Sequence, residues 1–258
     1  MTENPVLYER QGRVALITLN RPRVINAFNR AMYVGFNEAI ERFGKDEDVW
    51  VAIVNGAGPR GFCSGVDIKA ASAELAADVT EPLPPLTICQ EMVTSKPIVA
   101  AVHGHCVGEG VNLILSCDMV FAEVSSNFFV SEARVGVNAV DIPLKLSRKM
   151  GYFTAFEMLM GLEGKSAKWC RQAGLVNQVV EDGTVTEAAL HWANRLIDET
   201  APLPIRAMKE TLWRAALEDE AKGREAGMAW RQTIGQSADW NEGRAAFIEK
   251  RKPRYEGK

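Results

Sequence analysis

The spacing of apolar residues near the start of the chain predicts a β-hairpin followed by a helix. Residues 6–9 and 14–19 are rich in β-forming apolar side chains and flank a short turn that contains glycine. Apolar residues then recur at helical spacing up to Phe43, so we expect a helix with Asn29 as its N-cap. Gly44, which directly follows this stretch, predicts the end of the helix.

The middle of the chain repeats a pattern of apolar strand, glycine-containing turn and short helix. The predicted segments are residues 49–55, 56–65 and a helix from about Asp67, then residues 98–102, 103–110 and 111–116, with a further strand over 118–122. Residues 74–85 contain three prolines, which predicts a mobile surface loop that borders a site. This order of elements is typical of α/β proteins.

The pattern after Gly151 is mostly that of amphipathic helices. These helices are predicted at residues 152–160, 188–197, 203–217 and 245–251. We therefore expect an α/β core over residues 1–195 and a helical C-terminal region over residues 196–258.

Composition and charge narrow the classes of partner. A chain of 258 residues with 47% hydrophobic content can bury a large core, and a net charge of −3 lacks the basic excess of a nucleic-acid-binding protein. The first ten residues carry no apolar signal, and no later run approaches the roughly 20 apolar residues of a membrane span. We expect a cytoplasmic protein with a small-molecule partner.

The cysteines and histidines do not predict a disulfide framework or a metal site. The five cysteines are an odd number at irregular spacing, as expected of free, mostly buried thiols. His103, His105 and Cys106 form a weak H-x-H-C pattern without a second cluster at ligand spacing. Cys63 and Ser64 have no histidine at a spacing that nominates a nucleophile pair.

Four motifs in order carry a family resemblance. They are LNRP at 19–22 with NA at 26–27, FCSGVDIK at 62–69, GHCVGEGVNLILSCD at 104–118, and EG at 242–243 with AFIEKRK at 246–252. Together they resemble the crotonase superfamily, the enoyl-CoA hydratase/isomerase family, across nearly the whole chain. The resemblance implies a spiral of ββα turns with two nearly perpendicular sheets, and a helical C-terminal region that builds a homotrimer or a dimer of trimers.

The resemblance also implies an oxyanion hole for an acyl thioester. Reactions at C2 or C3 place negative charge on the thioester oxygen, so the site needs N–H donors aimed at that oxygen. In proteins similar to this one the donors match the backbone amides of Val66 and Glu109. Most relatives carry glycine at the second position, so Glu109 requires a negative φ. We expect its side chain to be a solvated acid at a helix start; the alternative is that it points into the pocket and adds a second carboxylate.

The expected proton-transfer group is Glu132. Hydratases of the family commonly use two glutamates, and their positions correspond here to Asn112 and Glu132. An asparagine amide can orient water but cannot accept a proton at neutral pH, so Glu132 is the strong base candidate. Asp141 is a secondary candidate, although we expect it to cap a helix that begins at Leu144.

This constellation favours a hydratase that adds water to a 2-enoyl-CoA thioester through a stabilised enolate. Because Asn112 replaces one glutamate, three alternative functions remain open: a 3-enoyl to 2-enoyl-CoA isomerase, a CoA-thioester hydrolase and a non-catalytic acyl-CoA-binding protein.

No prosthetic group is expected, since coenzyme A enters as part of the substrate. The resemblance assigns coenzyme A to Arg23, Ile25, Ala27, Ser64, Asp67, Ile68, Phe247 and Lys250. Phe247 and Lys250 stand three residues apart and are predicted to share one helical face.

Overall fold

The computed structural model describes residues 4–160 and 163–258. Residues 1–3, which begin the segment considered above as a possible signal peptide, therefore lie outside the described residues. The predicted hairpin is confirmed as β1, Val6–Gln11, antiparallel to β2, Val14–Leu19. The helix that follows, α1, spans Arg30–Lys45, and the Asn29 side chain accepts a hydrogen bond from the Met32 N–H at 3.0 Å. The predicted stop at Gly44 is wrong, because the helix continues through it to a cap at Asp46.

The remaining strands belong to two sheets. They are β3 Val51–Gly56, β4 Ile98–Val102, β5 His105–Val107, β6 Met119–Glu123, β7 Asn127–Phe129, β8 Lys165–Ser166 and β9 Gln178–Val180. One sheet has the order β1-β2-β3-β4-β6-β9 and the other β5-β7-β8. From β2 to β9 the strands of the larger sheet pair in parallel. Parallel pairing requires a crossover after each strand, which the helices provide.

Most of the remaining helices match predicted segments with shifted ends, but the helices at residues 87–90, 167–172 and 220–234 were not predicted. The remaining helices are α2 Ile68–Ala76, α3 Thr87–Gln90, α4 Glu109–Leu115, α5 Asp141–Met150, α6 Tyr152–Met160, α7 Ala167–Gln172, α8 Val185–Glu199, α9 Pro202–Leu217, α10 Glu220–Ile234 and α11 Ala238–Glu249. The expected division at residue 195 therefore falls inside α8. Within the described residues, no helix is both long and apolar enough to cross a membrane.

Successive turns of the chain place one strand in each sheet before a helix. In one turn β4 lies in the large sheet, β5 lies in the small sheet and α4 follows; in the next turn β6, β7 and α5 repeat this order. In the preceding turn, the segment of chain that follows β3 joins the small sheet through a parallel β-bridge between Cys63 and Cys106. This is the spiral of ββα turns that the resemblance implies. The single tight turn predicted over residues 103–110 is wrong, because β5 forms within it.

The predicted loop over residues 74–85 starts later and is anchored. Helix α2 extends to Ala76, and the Arg30 guanidinium on α1 pairs with the Glu74 carboxylate at 2.9 Å. Arg30 also donates to the carbonyls of Glu81 and Pro82, at 2.8 and 3.1 Å. One arginine thus ties the segment to α1 at both of its ends.

The larger sheet separates two apolar layers. One layer, with Phe28, Phe36 and Phe62 fully buried, fills the space toward α1 and α4. The other layer packs α8 against the opposite face, with Phe121 beside Trp192. The central strands therefore read as continuous apolar runs, as expected for a parallel sheet buried on both sides. All five cysteines are free and buried, as predicted.

Asn26 joins the two loops that precede the predicted site. It is fully buried in a left-handed conformation with φ of 54°. Its Oδ1 accepts from the Arg21 N–H, and its Nδ2 donates to the carbonyls of Ala57, Gly61 and Phe62 at 3.0 to 3.1 Å. This side chain therefore substitutes for backbone hydrogen bonds between the loops.

Asn26→Ala should lower the free energy of unfolding by about 2–4 kcal/mol, because several buried backbone groups lose their partner. Denaturant unfolding followed by circular dichroism measures the change. Asn194→Ala, at an exposed position of α8, is the matched control and should stay within about 0.5 kcal/mol of wild type. Equal stabilities of the two variants would contradict the assignment.

Candidate active site

The two glycine loops of the sequence meet at one point. Gly65 has φ of 97° and Gly108 has φ of 52°, both in the region that L side chains avoid. A Cβ on Gly65 would lie 3.7 Å from the Glu109 nitrogen, and one on Gly108 would lie 3.7 Å from the Gly65 Cα. Glycine at both positions thus brings the backbones of residues 65–66 and 108–109 into contact.

The amides of Val66 and Glu109 are suited to receive an oxyanion. Glu109 is the first residue of α4, where backbone N–H groups lack intrahelical partners. Neither N–H donates a hydrogen bond to any residue in the part of the chain that the structure describes. Glu109 has no positive φ, as its non-glycine side chain requires. Two free donors therefore lie close together, on loops held by glycine.

Glu132 lies beside these donors. It begins a 3-10 helix, Glu132–Val135, just after β7, and a Cβ on Gly108 would approach its Oε1 to 2.9 Å. Burial raises the pKa of Glu132 above its ordinary value, while the backbone N–H groups of Ser131 and Glu132 oppose the shift. Its Oε2 is buried and has no hydrogen-bond partner among the described residues. A buried carboxylate oxygen without a partner is rare outside functional sites.

The Glu109 side chain does not extend into solvent, so that expectation is wrong. Its Oε1 accepts a hydrogen bond from the Asn112 Nδ2 at 3.3 Å, one turn along α4. Burial raises the pKa of the Glu109 carboxyl to about 7, although Asn112 and Lys145 act to lower it. The physical reason is tertiary packing, because the first turn of α4 faces the interior and residues 110–115 are all buried.

Lys145 is a site residue that the sequence did not nominate. Its Nζ donates to the Asn112 Oδ1 at 2.8 Å and to the Ser116 Oγ at 2.9 Å. Asn112 is 6% exposed, so its amide is committed to Lys145 on one side and to Glu109 on the other. No sequence signal marks this contact, since Lys145 is 33 residues from Asn112 on an ordinary amphipathic helix.

Asp141 does not cap a helix at Leu144. Helix α5 begins at Asp141 itself, Val140 occupies the cap position, and no side chain caps this end. The Asp141 Oδ2 instead accepts a hydrogen bond from the Gln90 Nε2 at 2.9 Å. The helix starts earlier because Ile142 and Leu146 reach the core one turn apart.

Several residues expected to contact coenzyme A lie on two neighbouring loops next to Val66. The Ser64 N–H donates to the Ile25 carbonyl at 2.8 Å, and the Ser64 Oγ donates to the Val24 carbonyl at 2.9 Å. Arg23 is exposed on this loop, and Ile68 is exposed at the start of α2. The two loops, residues 23–27 and 64–68, thus form one continuous surface, here called the ledge, that leads to the amide of Val66.

Two of the expected coenzyme A residues use their polar groups within the fold. The Asp67 side chain caps α2 by accepting from the Ala70 N–H at 3.0 Å and pairs with Arg21 at 2.9 Å. The Ala27 carbonyl accepts from the Arg21 guanidinium. Arg21 therefore clamps the two loops together behind the ledge.

The prediction that Phe247 and Lys250 share a helical face is wrong. Helix α11 ends at Glu249, and Lys250 adopts a left-handed conformation with φ of 53°. The chain reverses there because Arg251 pairs with Glu242 at 2.6 Å and the last residues return toward Asp239. Phe247 is 85% exposed in this chain.

The H-x-H-C segment is divided between surface and interior. His105 is exposed while Cys106 is buried, and the His103 Nε2 lies 2.8 Å from the Gly58 carbonyl. Among the described residues, no three His, Cys, Asp or Glu side chains are grouped to hold a metal ion.

Comparison with known proteins gives consistent results. Residues 9–258 match the profile of the family described as Enoyl-CoA hydratase/isomerase. The chain is 30% identical to the 2,3-dehydroadipyl-CoA hydratase of Escherichia coli (strain K12), over 98% of this chain and 99% of that protein. It is 31% identical to the (E)-benzylidenesuccinyl-CoA hydratase of Thauera aromatica, with 98% and 99% covered. The crystal structure of enoyl-CoA hydratase from Mycobacterium tuberculosis H37Rv superposes with a TM-score of 0.89, at 30% identity, with 99% and 100% covered.

Proposed function

Since this chain belongs to the enoyl-CoA hydratase/isomerase family, we propose that it adds water across the C2–C3 double bond of a 2-enoyl-CoA thioester. The observation that carries the proposal is the meeting of two free backbone N–H groups, Val66 and Glu109, with the half-buried carboxylate of Glu132, whose Oε2 is buried. Relatives named as hydratases of CoA thioesters support the same reaction class.

The proposed chemistry follows from this arrangement. The thioester oxygen accepts hydrogen bonds from the amides of Val66 and Glu109, which stabilise the enolate as charge develops. Glu132 takes a proton from water while the water oxygen bonds to C3, and a proton is then delivered to C2. Burial that raises the pKa of Glu132 makes it a stronger base than an exposed carboxylate.

The ledge formed by residues 23–27 and 64–68 is proposed to hold coenzyme A. Exposed Arg23 supplies positive charge for its phosphates, and the guanidinium of Arg60, from the glycine loop that follows β3, lies close by because it donates to the Pro22 carbonyl at 2.9 Å. Phe247 and Lys250 are proposed to reach the cofactor of a neighbouring subunit, since the pair lies at the far end of the chain with the Phe247 ring exposed.

The first test of the function is mass spectrometry of 2-enoyl-CoA thioesters of different chain lengths incubated with the pure protein in heavy water. We expect a product heavier by one heavy water. Double-bond migration or exchange without hydration would favour the isomerase, for which Asn112 at the first glutamate position is the supporting observation. Free coenzyme A would indicate a hydrolase, and binding without any change would indicate a non-catalytic acyl-CoA-binding protein.

The protein is also proposed to assemble with copies of itself. Large apolar side chains are exposed on α6 and α11, with Phe153 87%, Phe247 85% and Ile248 76% exposed. Exposed apolar surface of this kind marks interaction sites. Light scattering at micromolar concentration should give a mass three or six times that of the 28.4 kDa chain. A monomer mass would contradict the proposal.

A further inference from the structure

Three side chains of α4 and α5 form a hydrogen-bonded chain that the proposed hydration step does not use. Lys145 donates to the Asn112 Oδ1 at 2.8 Å, and the Asn112 Nδ2 donates to the Glu109 Oε1 at 3.3 Å. We propose that the Glu109 carboxyl group is a second catalytic group of the site, which donates the proton that reaches C2. This inference rests on the proposed function and deepens it.

The orientation of the Asn112 amide is determined by its neighbours. A lysine ammonium can only donate hydrogen bonds, so Lys145 fixes the carbonyl end of the amide toward itself. The NH₂ end then faces Glu109. Lys145 is fixed in turn by the Ser116 Oγ at 2.9 Å, which accepts its second hydrogen bond. Asn112 thus positions the carboxyl group of Glu109, which lies one helical turn earlier on α4.

The surroundings of the Glu109 carboxyl group favour its neutral form. Burial is the largest cause of the raised pKa, to about 7, and the charges of Glu132 and Asp141 raise it further. Lys145 is the cation that opposes the shift, and the groups of α1, α3 and the first glycine loop that interact with the Glu109 charge are Tyr33, Cys89 and Cys63. A carboxyl group with a pKa raised to about 7 is suited to the role of acid beside a second carboxyl group that acts as base.

The resulting step balances in protons and electrons. Glu132, ionised, takes a proton from water as the water oxygen forms its bond to C3. The C2–C3 π pair moves toward the thioester carbonyl, and C2 receives the proton of neutral Glu109. Turnover leaves Glu132 protonated and Glu109 ionised, and exchange with solvent water restores both groups. No oxidant or further reactant is needed.

The test compares Glu109→Gln and Glu109→Gly in the full-length protein. Glu109→Gln replaces the carboxyl group with an amide, and Glu109→Gly removes the whole side chain but keeps the backbone N–H of the oxyanion hole, so both variants should lose about 10²-fold in kcat. The double variant Glu109→Gly with Asn112→Glu returns a carboxyl group beside Lys145 and should recover at least about tenfold. Glu187→Gln, at an exposed position of α8, is the control and should match wild type.

The pH profile separates catalysis from a structural role. An acid must be protonated, so the wild-type rate should fall as pH rises through the pKa of Glu109, about 7. Loss of this alkaline limb in Glu109→Gln supports the proposal. If Glu109→Gln keeps wild-type kcat and profile while Glu132→Gln is inactive, this inference is wrong and the proposed function stands. If wild type hydrates no 2-enoyl thioester, both are wrong.

Discussion

Glu132→Gln should lower kcat for hydration by about 10³- to 10⁴-fold, because the variant cannot take a proton from water. The amide retains the shape of the carboxyl group, so KM for the thioester should change little. The acid limb of the pH profile gives an independent check. A base must be ionised, and burial raises the pKa of Glu132, so as pH is lowered the wild-type rate should start to fall at a higher pH than it would with an exposed glutamate as the base.

Initial rates with a thioester that wild type hydrates, measured across pH, provide the comparison. Glu199→Gln serves as control, since this carboxylate pairs with Arg195 on the exposed face of α8, at 3.0 Å. If Glu132→Gln turned over the thioester at the wild-type rate, Glu132 would not be the catalytic base. A variant that binds thioester normally but cannot turn it over meets the expectation.

Gly108→Ala should lower kcat by about 10³-fold, because the oxyanion donor of the next residue loses its position. The backbone of Gly108, with φ of 52° and ψ of −112°, suits only glycine. The added methyl group would also lie 2.9 Å from the Glu132 Oε1, so the carboxylate would have to move. One methyl group thus disturbs both the donor and the base.

Gly12→Ala is the matched control for the backbone strain. Gly12 also has a positive φ, 60°, but it lies in the β1–β2 turn with no atom within 4 Å of an added Cβ. Both variants should lose some stability in thermal unfolding, of about 1 kcal/mol. Only Gly108→Ala should lose activity, and equal kcat values for the two variants would refute the geometric argument.

The resemblance predicted which two glycine loops carry the backbone donors, whereas the direction of the Glu109 side chain depended on tertiary packing. A glycine in a loop is visible in the sequence, and its positive φ follows from the lack of a side chain. The direction of the Glu109 side chain was predicted wrongly, because a helix start is usually solvated. Here the first turn of α4 is buried under α5, and that packing is not a local property.

The sequence by itself determined the first hairpin, the helix after it, the buried central strands β3, β4 and β6, and the loops that carry Gly65 and Gly108. These features follow from local spacing and from the conformations each residue permits. The ends of α1, α5 and α11 were decided by tertiary packing, such as the pairing of Arg251 with Glu242. The chain from Lys145 through Asn112 to Glu109 was decided only by the tertiary structure, because it joins residues of two helices through side-chain contacts that no spacing encodes.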